Sequence, residues 1–551
     1  MKFSAAAETK LLQNRANPQV VSDRILTVMG RKWLTRLFAA ASGILAAAAG
    51  VAVATAVAGA LTGVPSPLIS VGNRTIDMAP PALKDFAIKQ FGTADKPILL
   101  ASVAVVIVLV AAVAGVMGIR RPAAALGITA LLGLVALGAA VTDRTAAAST
   151  GLVVLPSLVA IAVSMGALAW LLTTLNRRSG DSGRWLAPHP EDDLPSGFER
   201  RRFLVAAMAT GTVVVAGGAV TRLVSGSAAA ASRADIRFPL PASPSGPVPR
   251  GTEVGLRGVS PYLTANADFY RIDTNLQVPD VPADTWTLRI HGRVDSELEL
   301  SYEDLLNERL IERRITLTCV SNEVGGELAG NATWIGVPLK DLLDRAGIQP
   351  GADALRSVSV DDFTIGTPVE AVMDGRDAMI AIAMNGEPLP LEHGFPARMV
   401  VPGLYGYVSA TKWLTEIEVT RFADFTAYWT ERDWAAEAPI KTASRIDVPR
   451  SFQTLSADAV RAGGVAWAQT TGVEKVEVRV DEGQWQQVTL GTQDTLDTWR
   501  QWSWQWDDAT PGLHTLTVRA TDKSGQTQTS ERVTPRPDGA TGWHSVQFTV
   551  E

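Results

Sequence analysis

The sequence predicts three successive bodies: an α-helical transmembrane bundle, a mixed α+β domain and an all-β sandwich. Three observations carry this. Of 551 residues, 47% are apolar, and the mean hydropathy of +0.13 is high for a chain that lives wholly in water and opposite to that of a disordered one. Residues 1–225 carry 21 Lys/Arg against 11 Asp/Glu, a net +10, whereas the remainder carries 29 against 45, a net −16. Twelve of the 15 Trp lie from Trp286 onward, so a conventionally packed part follows an Ala/Val/Leu-rich, lipid-facing one.

A helix crossing a bilayer needs about 20 mainly apolar residues, because lipid offers its backbone no hydrogen-bond partner. Five stretches qualify, approximately Leu37–Val64, Ile98–Ile119, Ala123–Val141, Leu152–Leu175 and Phe203–Val224, the third being the weakest. Lys and Arg are retained on the cytoplasmic side. With the N-terminus inside, 15 of them fall in cytoplasmic segments (Lys2 to Arg36, Arg120 and Arg121, Arg177 to Arg202) and five in the opposite loops (Arg74, Lys84, Lys89, Lys96, Arg144). That orientation places the acidic part, after about residue 225, outside the cytoplasm at the inner membrane. At the head of the fifth span, Arg200-Arg201-Arg202-Phe203-Leu204 resembles the twin-arginine export motif, which serves proteins that fold around a cofactor before export; the plainer alternative is a basic anchor. None of the five His lies in a span and no span has an ionisable residue near its centre, so the spans are expected to anchor or dock a partner. A transporter with an external sensor is the weaker alternative.

Residues 226–251, with Pro239, Pro241, Pro244, Pro247 and Pro249, read as an extended linker. Residues 252–440 then alternate strand-like and helical runs. Thr285–His291, Arg314–Cys319, Ala397–Val401 and Leu414–Thr420 suit strands, Ser301 caps a helix, Pro338–Leu343 is helical, and Asn385-Gly386 marks a tight turn. In residues 441–551 only strands and turns remain: Gly464–Ala468, Val473–Val480, Trp499–Trp506, His514–Ala520 and Trp543–Val550. Their spacing and alternation suit an immunoglobulin-like sandwich. The negative charge disfavours nucleic acid as a partner.

A single cysteine, Cys319, excludes an intramolecular disulfide, a paired c-type haem attachment and an all-cysteine iron–sulfur site. Too few Cys and His stand at ligand spacing for a zinc site. Cys319 ends an alternating strand and enters the polar loop Val320-Ser-Asn-Glu-Val-Gly-Gly326. A buried small apolar residue is the commonest fate of such a thiol; a nucleophile, with His393 as the one plausible base, or a soft metal ligand are the alternatives.

The residues around it resemble a known family. Leu317-Thr-Cys-Val-Ser-Asn322 followed by Gly330-Asn-Ala-Thr-Trp-Ile-Gly-Val337 resembles the signature of the sulfite oxidase family of molybdopterin-dependent oxidoreductases. Asn266–Arg271, Trp286–Gly292, Met384–Pro390, His393–Arg398, Val401–Gly403, Lys412–Leu414 and Trp429–Asp433 are similar to its other blocks, in order, and the last domain to its C-terminal dimerisation domain. The resemblance covers about residues 256–550 and leaves the first 225 outside it. It implies a molybdenum–molybdopterin cofactor with Cys319 as metal ligand. Asn266, Phe269, Arg271, His393, Arg398, Ser409 and Lys412 would hold the pterin and its phosphate, and Cys319, Asn322, Glu323 and Trp434 would form the catalytic face. A dithiolene-held metal needs one further soft ligand, which fits a lone thiolate.

The chain departs from the sulfite-oxidising pattern at two places. Glu323 and Val324 stand where those members place arginine, and Trp434 stands where they carry a tyrosine. A carboxylate near the metal would repel sulfite, so a neutral sulfoxide or N-oxide is the competing substrate. The expected protein is a membrane-anchored oxidoreductase transferring an oxygen atom to or from a small sulfur- or nitrogen-containing substrate. Its partners would be membrane lipid, an external electron carrier and a second copy paired through the C-terminal domain. A catalytically inactive binding or assembly module at the cell surface is the alternative.

Overall fold

The computed structural model describes residues 18–61, 63–80, 83, 86, 91, 95–143, 149–176, 200–224, 228–457 and 460–551. Lys2, Lys10, Arg15, Lys84, Lys89, Arg144, Arg177, Arg178, Arg184 and His189, which entered the orientation and haem arguments, lie outside these residues. The chain forms two units, Met1–Gly226 and Ser227–Glu551.

The first unit holds α1 (Pro18–Gly59), α2 (Pro67–Met78), α3 (Asp95–Gly118), α4 (Pro122–Val141), α5 (Thr150–Asn176) and α6 (Arg200–Val224). Five of these contain stretches long and apolar enough to cross a membrane, at Trp33–Gly59, Lys96–Gly118, Pro122–Val141, Thr150–Leu175 and Arg201–Ala219. Val105, Leu109, Leu131, Leu134 and Val215 are exposed on their outer faces, where lipid would solvate them. Between α1 and α3 the contact is made of small residues. A Cβ on Gly43 would collide with the Ala111 carbonyl oxygen, and one on Gly115 with that of Ala39, so the backbones touch as in small-residue membrane crossings. Helix α2 was not expected. Its 12 residues are too few to span, Pro67 opens it at a position where a missing N–H costs nothing, and its Asn73 Nδ2 donates to Asp143 Oδ1 at 3.1 Å.

The second unit corrects the linker reading of residues 226–251. Ala228–Asp235 is a helix, α7, as four consecutive alanines favour. Asp280 accepts from the Ala228 and Ala229 amides at its start, Ala229 is buried, and Arg233 pairs with Glu387 at 2.9 Å. The proline-rich part that follows is also docked: Ser243 bridges to Ile311 and Ser245 donates to Glu312.

Ten strands then form two sheets: β1 (Thr287–Gly292), β2 (Leu298–Ser301), β3 (Ile311–Thr318), β4 (Ala329–Pro338), β5 (Ala354–Ser359), β6 (Thr364–Pro368), β7 (Met379–Met384), β8 (Glu387–Pro388), β9 (Arg398–Val400) and β10 (Leu414–Thr420). One sheet runs β2-β1-β10-β5-β6. The other runs β3-β4-β7-β8, with β9 also on β7. Helices α8 (Tyr302–Asn307), α9 (Leu339–Ala346), α10 (Val369–Met373) and α11 (Gly406–Ser409) connect them, α8 opening with a capping box of Ser301 and Asp304. Strand β7, Met-Ile-Ala-Ile-Ala-Met, is buried at every position, as a strand covered on both faces must be. Asn385 and Gly386 take positive φ (51° and 83°) in the two-residue turn to β8, which is why that pair stands there.

The remaining strands are β11 (Ala443–Val448), β12 (Gln453–Leu455), β13 (Arg461–Trp467), β14 (Val473–Val480), β15 (Gln486–Gln487), β16 (Thr489–Leu490), β17 (Arg500–Gln505), β18 (Gly512–Asp522) and β19 (His544–Val550). They form the sheets β11-β13-β17-β16 and β12-β19-β18-β14-β15. Ile446, Ala462 and Trp502 of the first sheet and Val476, Val518 and Phe548 of the second share one apolar core.

The segment before β17 grips strand β3. Arg314 forms an ion pair with Asp494, Tyr262 Oη donates to the same carboxylate at 2.6 Å, and the Trp499 amide donates to Thr316 Oγ1 at 2.9 Å. Removing one partner strands the other charge inside. Asp494→Ala is therefore expected to lower stability by about 3–5 kcal/mol in denaturant melts followed by tryptophan fluorescence. Asp344→Ala, which removes an exposed pair with Lys340, should cost less than about 1 kcal/mol.

Candidate functional site

Strand β3 delivers Cys319 to the floor of a cavity of about 910 Å³, mouth included. The turn is closed by the Cys319 amide donating to the Leu328 carbonyl (2.9 Å) and the Asn322 amide donating to the Cys319 carbonyl (3.1 Å). Asn322 Oδ1 accepts from the Leu328 amide at 2.9 Å. The C-terminal strands clamp the same loop. Arg445 donates to the Gly326 carbonyl at 2.9 Å, and Gly325, at φ 82°, lies so close to the His544 ring that a Cβ would overlap it. Burial pushes the Cys319 thiol above its usual range, so a thiolate there needs a cation bound to the sulfur itself.

Phe269, Tyr270 and Asp273 form one wall of the cavity, His393, Arg398 and Lys412 another, and Phe363, Tyr407, Trp429 and Trp434 a third. The basic wall is unusual in its partners. Arg398 is 6% exposed and, among the described residues, donates only to the His393 carbonyl (3.0 Å) and the Ala410 carbonyl (3.4 Å). Its Nε has no hydrogen-bond partner among the described residues, and its guanidinium lies 5.1 Å from the Trp334 ring centre. Burial lowers its pKa to about 10. Lys412 Nζ has a counter-charge, Asp273 at 3.0 Å, yet burial still lowers its pKa to about 8. His393 Nε2 lies 3.0 Å from the Asn266 carbonyl, which can only accept, so Nε2 carries the proton and Nδ1 is left as an acceptor. Burial lowers its pKa to about 4; this residue is neutral at pH 7, and is no cation for an anion.

Residues 275–429 match the oxidoreductase molybdopterin-binding domain. Human mitochondrial sulfite oxidase is 29% identical over 44% of this chain and 52% of its own. NADH nitrate reductase of Petunia hybrida is 33% identical over 26% of this chain and 19% of its own. The uncharacterized oxidoreductase YuiH of Bacillus subtilis is 35% identical over 25% of this chain and 66% of its own. These similarities support a molybdenum-dependent oxidoreductase of the sulfite oxidase family. It spans about half the length of the curated sulfite oxidases it matches. Among solved structures, the sulfane dehydrogenase SoxCD of Paracoccus pantotrophus aligns with a TM-score of 0.46 at 22% identity, covering 53% of this chain and 84% of that one.

The family's cofactor fits what the cavity offers. A buried guanidinium with no carboxylate beside it and an idle Nε needs an anion from outside the protein, and a pterin phosphate is one. Among the described residues no three His, Cys, Asp or Glu side chains gather at a metal-sized point, so a metal at Cys319 would take its other ligands from the cofactor.

Of the residues expected from sequence, Cys319, Phe269, His393, Arg398, Lys412 and Trp434 line this one cavity. Others stand elsewhere. Asn322 and the exposed Glu323 line a second cavity, because the turn after Cys319 carries them away from the first; Asn322 staples the loop, and the repulsion of sulfite argued from Glu323 loses its basis. Ser409 Oγ shares its single proton between the Leu404 and Tyr405 carbonyls, both at 3.0 Å, so it has no donor to spare for a phosphate. Arg271 reaches Asp273 at 2.8 Å without lining the cavity, and Asn266 acts through its carbonyl on His393. Sequence reasoning missed Tyr270, Asp273, Ser359 and Asp361, all of which line the cavity. Ser359 Oγ and Asp361 Oδ1 are buried without a hydrogen-bond partner among the described residues. Their signal was a polar Ser-x-Asp at the exit of β5, the same kind of strand exit that drew attention to Cys319.

Two outcomes are expected. Arg398→Ala should purify with little or no pterin, and unchanged pterin content would refute the anion-holding role. Acid should also destabilise the fold. His393 and His544 are both held by burial to about 4, whereas in the unfolded chain they protonate near 6.5. Between those values the unfolded state binds more protons, so stability falls as pH drops from 6.5 towards 4. Urea midpoints measured across that window should fall less steeply in His393→Gln.

Proposed function

We propose that this protein is a membrane-anchored, extracytoplasmic molybdopterin oxidoreductase that moves an oxygen atom to or from a small uncharged sulfur or nitrogen compound. The observation that carries this reading is the presence, in one cavity, of the lone thiol Cys319 and the uncompensated cation Arg398. When bound there, the molybdenum–pterin group supplies two-electron redox chemistry at an oxygen-exchanging metal. The chain's own residues do the rest. Cys319 would be the metal ligand. Arg398 and Lys412 would hold the phosphate, Phe269 would line the pterin, and His393 would offer Nδ1 as an acceptor. Arg271 keeps Asp273 in place beneath Lys412.

The substrate side argues for a neutral molecule. Trp434 meets Tyr407 and Trp429 at ring-centre distances of 5.9 and 6.3 Å, and Tyr407 Oη is already committed to the Ala435 carbonyl at 2.6 Å. Among the described residues Arg398 and Lys412 are the cations lining the cavity, and both are assigned to the cofactor. An aromatic wall without a spare cation suits a sulfoxide or an N-oxide better than sulfite.

The five apolar helices would hold the enzyme in the inner membrane, with the Lys/Arg bias keeping the N-terminus inside and Arg200–Leu204 serving as the export signal. Within the second unit, residues 252–440 would be the catalytic domain and 441–551 an immunoglobulin-like domain that pairs two copies. Electrons would come from or go to a separate carrier, since none of the five His lies in a span.

The test is a dye-coupled assay on protein purified from its native host. Sulfoxides or N-oxides should turn over faster than sulfite, and a preference for sulfite would overturn the substrate assignment. Cys319→Ser should lose molybdenum and activity by more than the roughly 10–100-fold that loss of an outer-shell partner costs. Trp434→Ala should raise KM for the neutral substrate with less effect on cofactor content.

A further inference from the structure

A second cavity, of about 1440 Å³ with its mouth, shares walls with the first. Cys319, Val320, Ser321, Gly406 and Tyr407 line one, whereas Thr318, Asn322, Gly403 and Tyr405 line the other. Its opposite side is built from the C-terminal strands.

Three residues lining this cavity each carry a buried polar atom with no hydrogen-bond partner among the described residues: Thr318 Oγ1, Trp467 Nε1 and Gln469 Oε1. These residues are 1%, 4% and 5% exposed, so open solvent does not satisfy them. The amide orientation of Gln469 is fixed by its nitrogen, which donates to the Asp497 carbonyl at 2.7 Å and to the Thr316 carbonyl. Its oxygen must therefore be the atom left over. An indole N–H can only donate, a glutamine oxygen can only accept, and a threonine hydroxyl does either.

The charges on the wall other than the exposed Glu323 are held. Lys441 Nζ is held by Asp538 at 2.9 Å and by the Gly539 carbonyl at 2.8 Å. Asp522 Oδ1 accepts from the Ser524 amide and hydroxyl and from the Gln526 amide. Further hydroxyls come from Thr442, Thr470, Thr527 and Thr541, set beside Ile440 and Ala468. An anionic ligand would find no free cation here. A molecule bearing several hydroxyls would both accept from Trp467 and donate to Gln469, and could lay C–H groups on the apolar part.

We propose that this second cavity is a binding site for a small uncharged polyol, separate from the cofactor cavity and independent of whether that cavity is loaded. Saturation-transfer NMR on the full chain in lipid nanodiscs, free of sugar detergents, would test it with glucose and mannitol as probes and acetate and choline as charged controls. Saturable binding of a polyol is expected, weakened about tenfold by Trp467→Phe and by Thr318→Val, substitutions that keep ring or shape and remove one polar atom. Binding should persist in Cys319→Ser, which separates this site from the redox assignment. Absence of saturable binding by both polyols, or binding that neither variant changes, would overturn the proposal and leave the cavity to water; preference for acetate or choline would overturn the uncharged class.

Discussion

The cavity of the second unit holds a buried cation without a carboxylate partner among the described residues. Arg398 is buried and hydrogen-bonded only to carbonyls, with one nitrogen idle, a state that is costly unless an anion completes it. Lys412 is more nearly balanced through Asp273 but remains depressed by burial. Both face the cavity that Cys319 enters. A protein selected only for stability would replace such a guanidinium by an apolar side chain. Its retention makes sense when an anionic group is part of the finished structure.

The thiol is placed by strand pairing and by a distant segment. Strand β3 is fixed on one edge by β4 and on the other by residues 494–499, through Asp494, Asp497 and Trp499. Beyond Cys319, Arg445 and His544 of the C-terminal strands hold Gly326 and Gly325. The C-terminal strands are therefore part of what fixes the sulfur's position. The close seating of Gly325 against His544, at positive φ, explains why a glycine stands there.

Much of this was legible in the sequence. Five apolar stretches, the capped start at Ser301, the Asn385-Gly386 turn and the strands around Cys319 follow from local periodicity and turn chemistry, which need no tertiary information. The motif order also led to Phe269, His393, Arg398, Lys412 and Trp434. What escaped depends on long-range contact. Residues 228–235 read as linker because the Pro-rich stretch beyond them dominates the composition, while Asp280, some fifty positions away, caps the helix. Glu323 was assigned to the catalytic face through the family resemblance, yet the turn after Cys319 sets it on the second cavity. His393 was expected to help hold the pterin and its phosphate, and burial keeps it neutral, a state its residue type does not reveal.

The most direct measurement is X-ray absorption at the molybdenum edge on purified protein, comparing the parent chain with Cys319→Ser. A metal–sulfur shell in the parent that loses one sulfur in the variant is expected. A shell of unchanged sulfur count, or a parent protein without molybdenum, would contradict it.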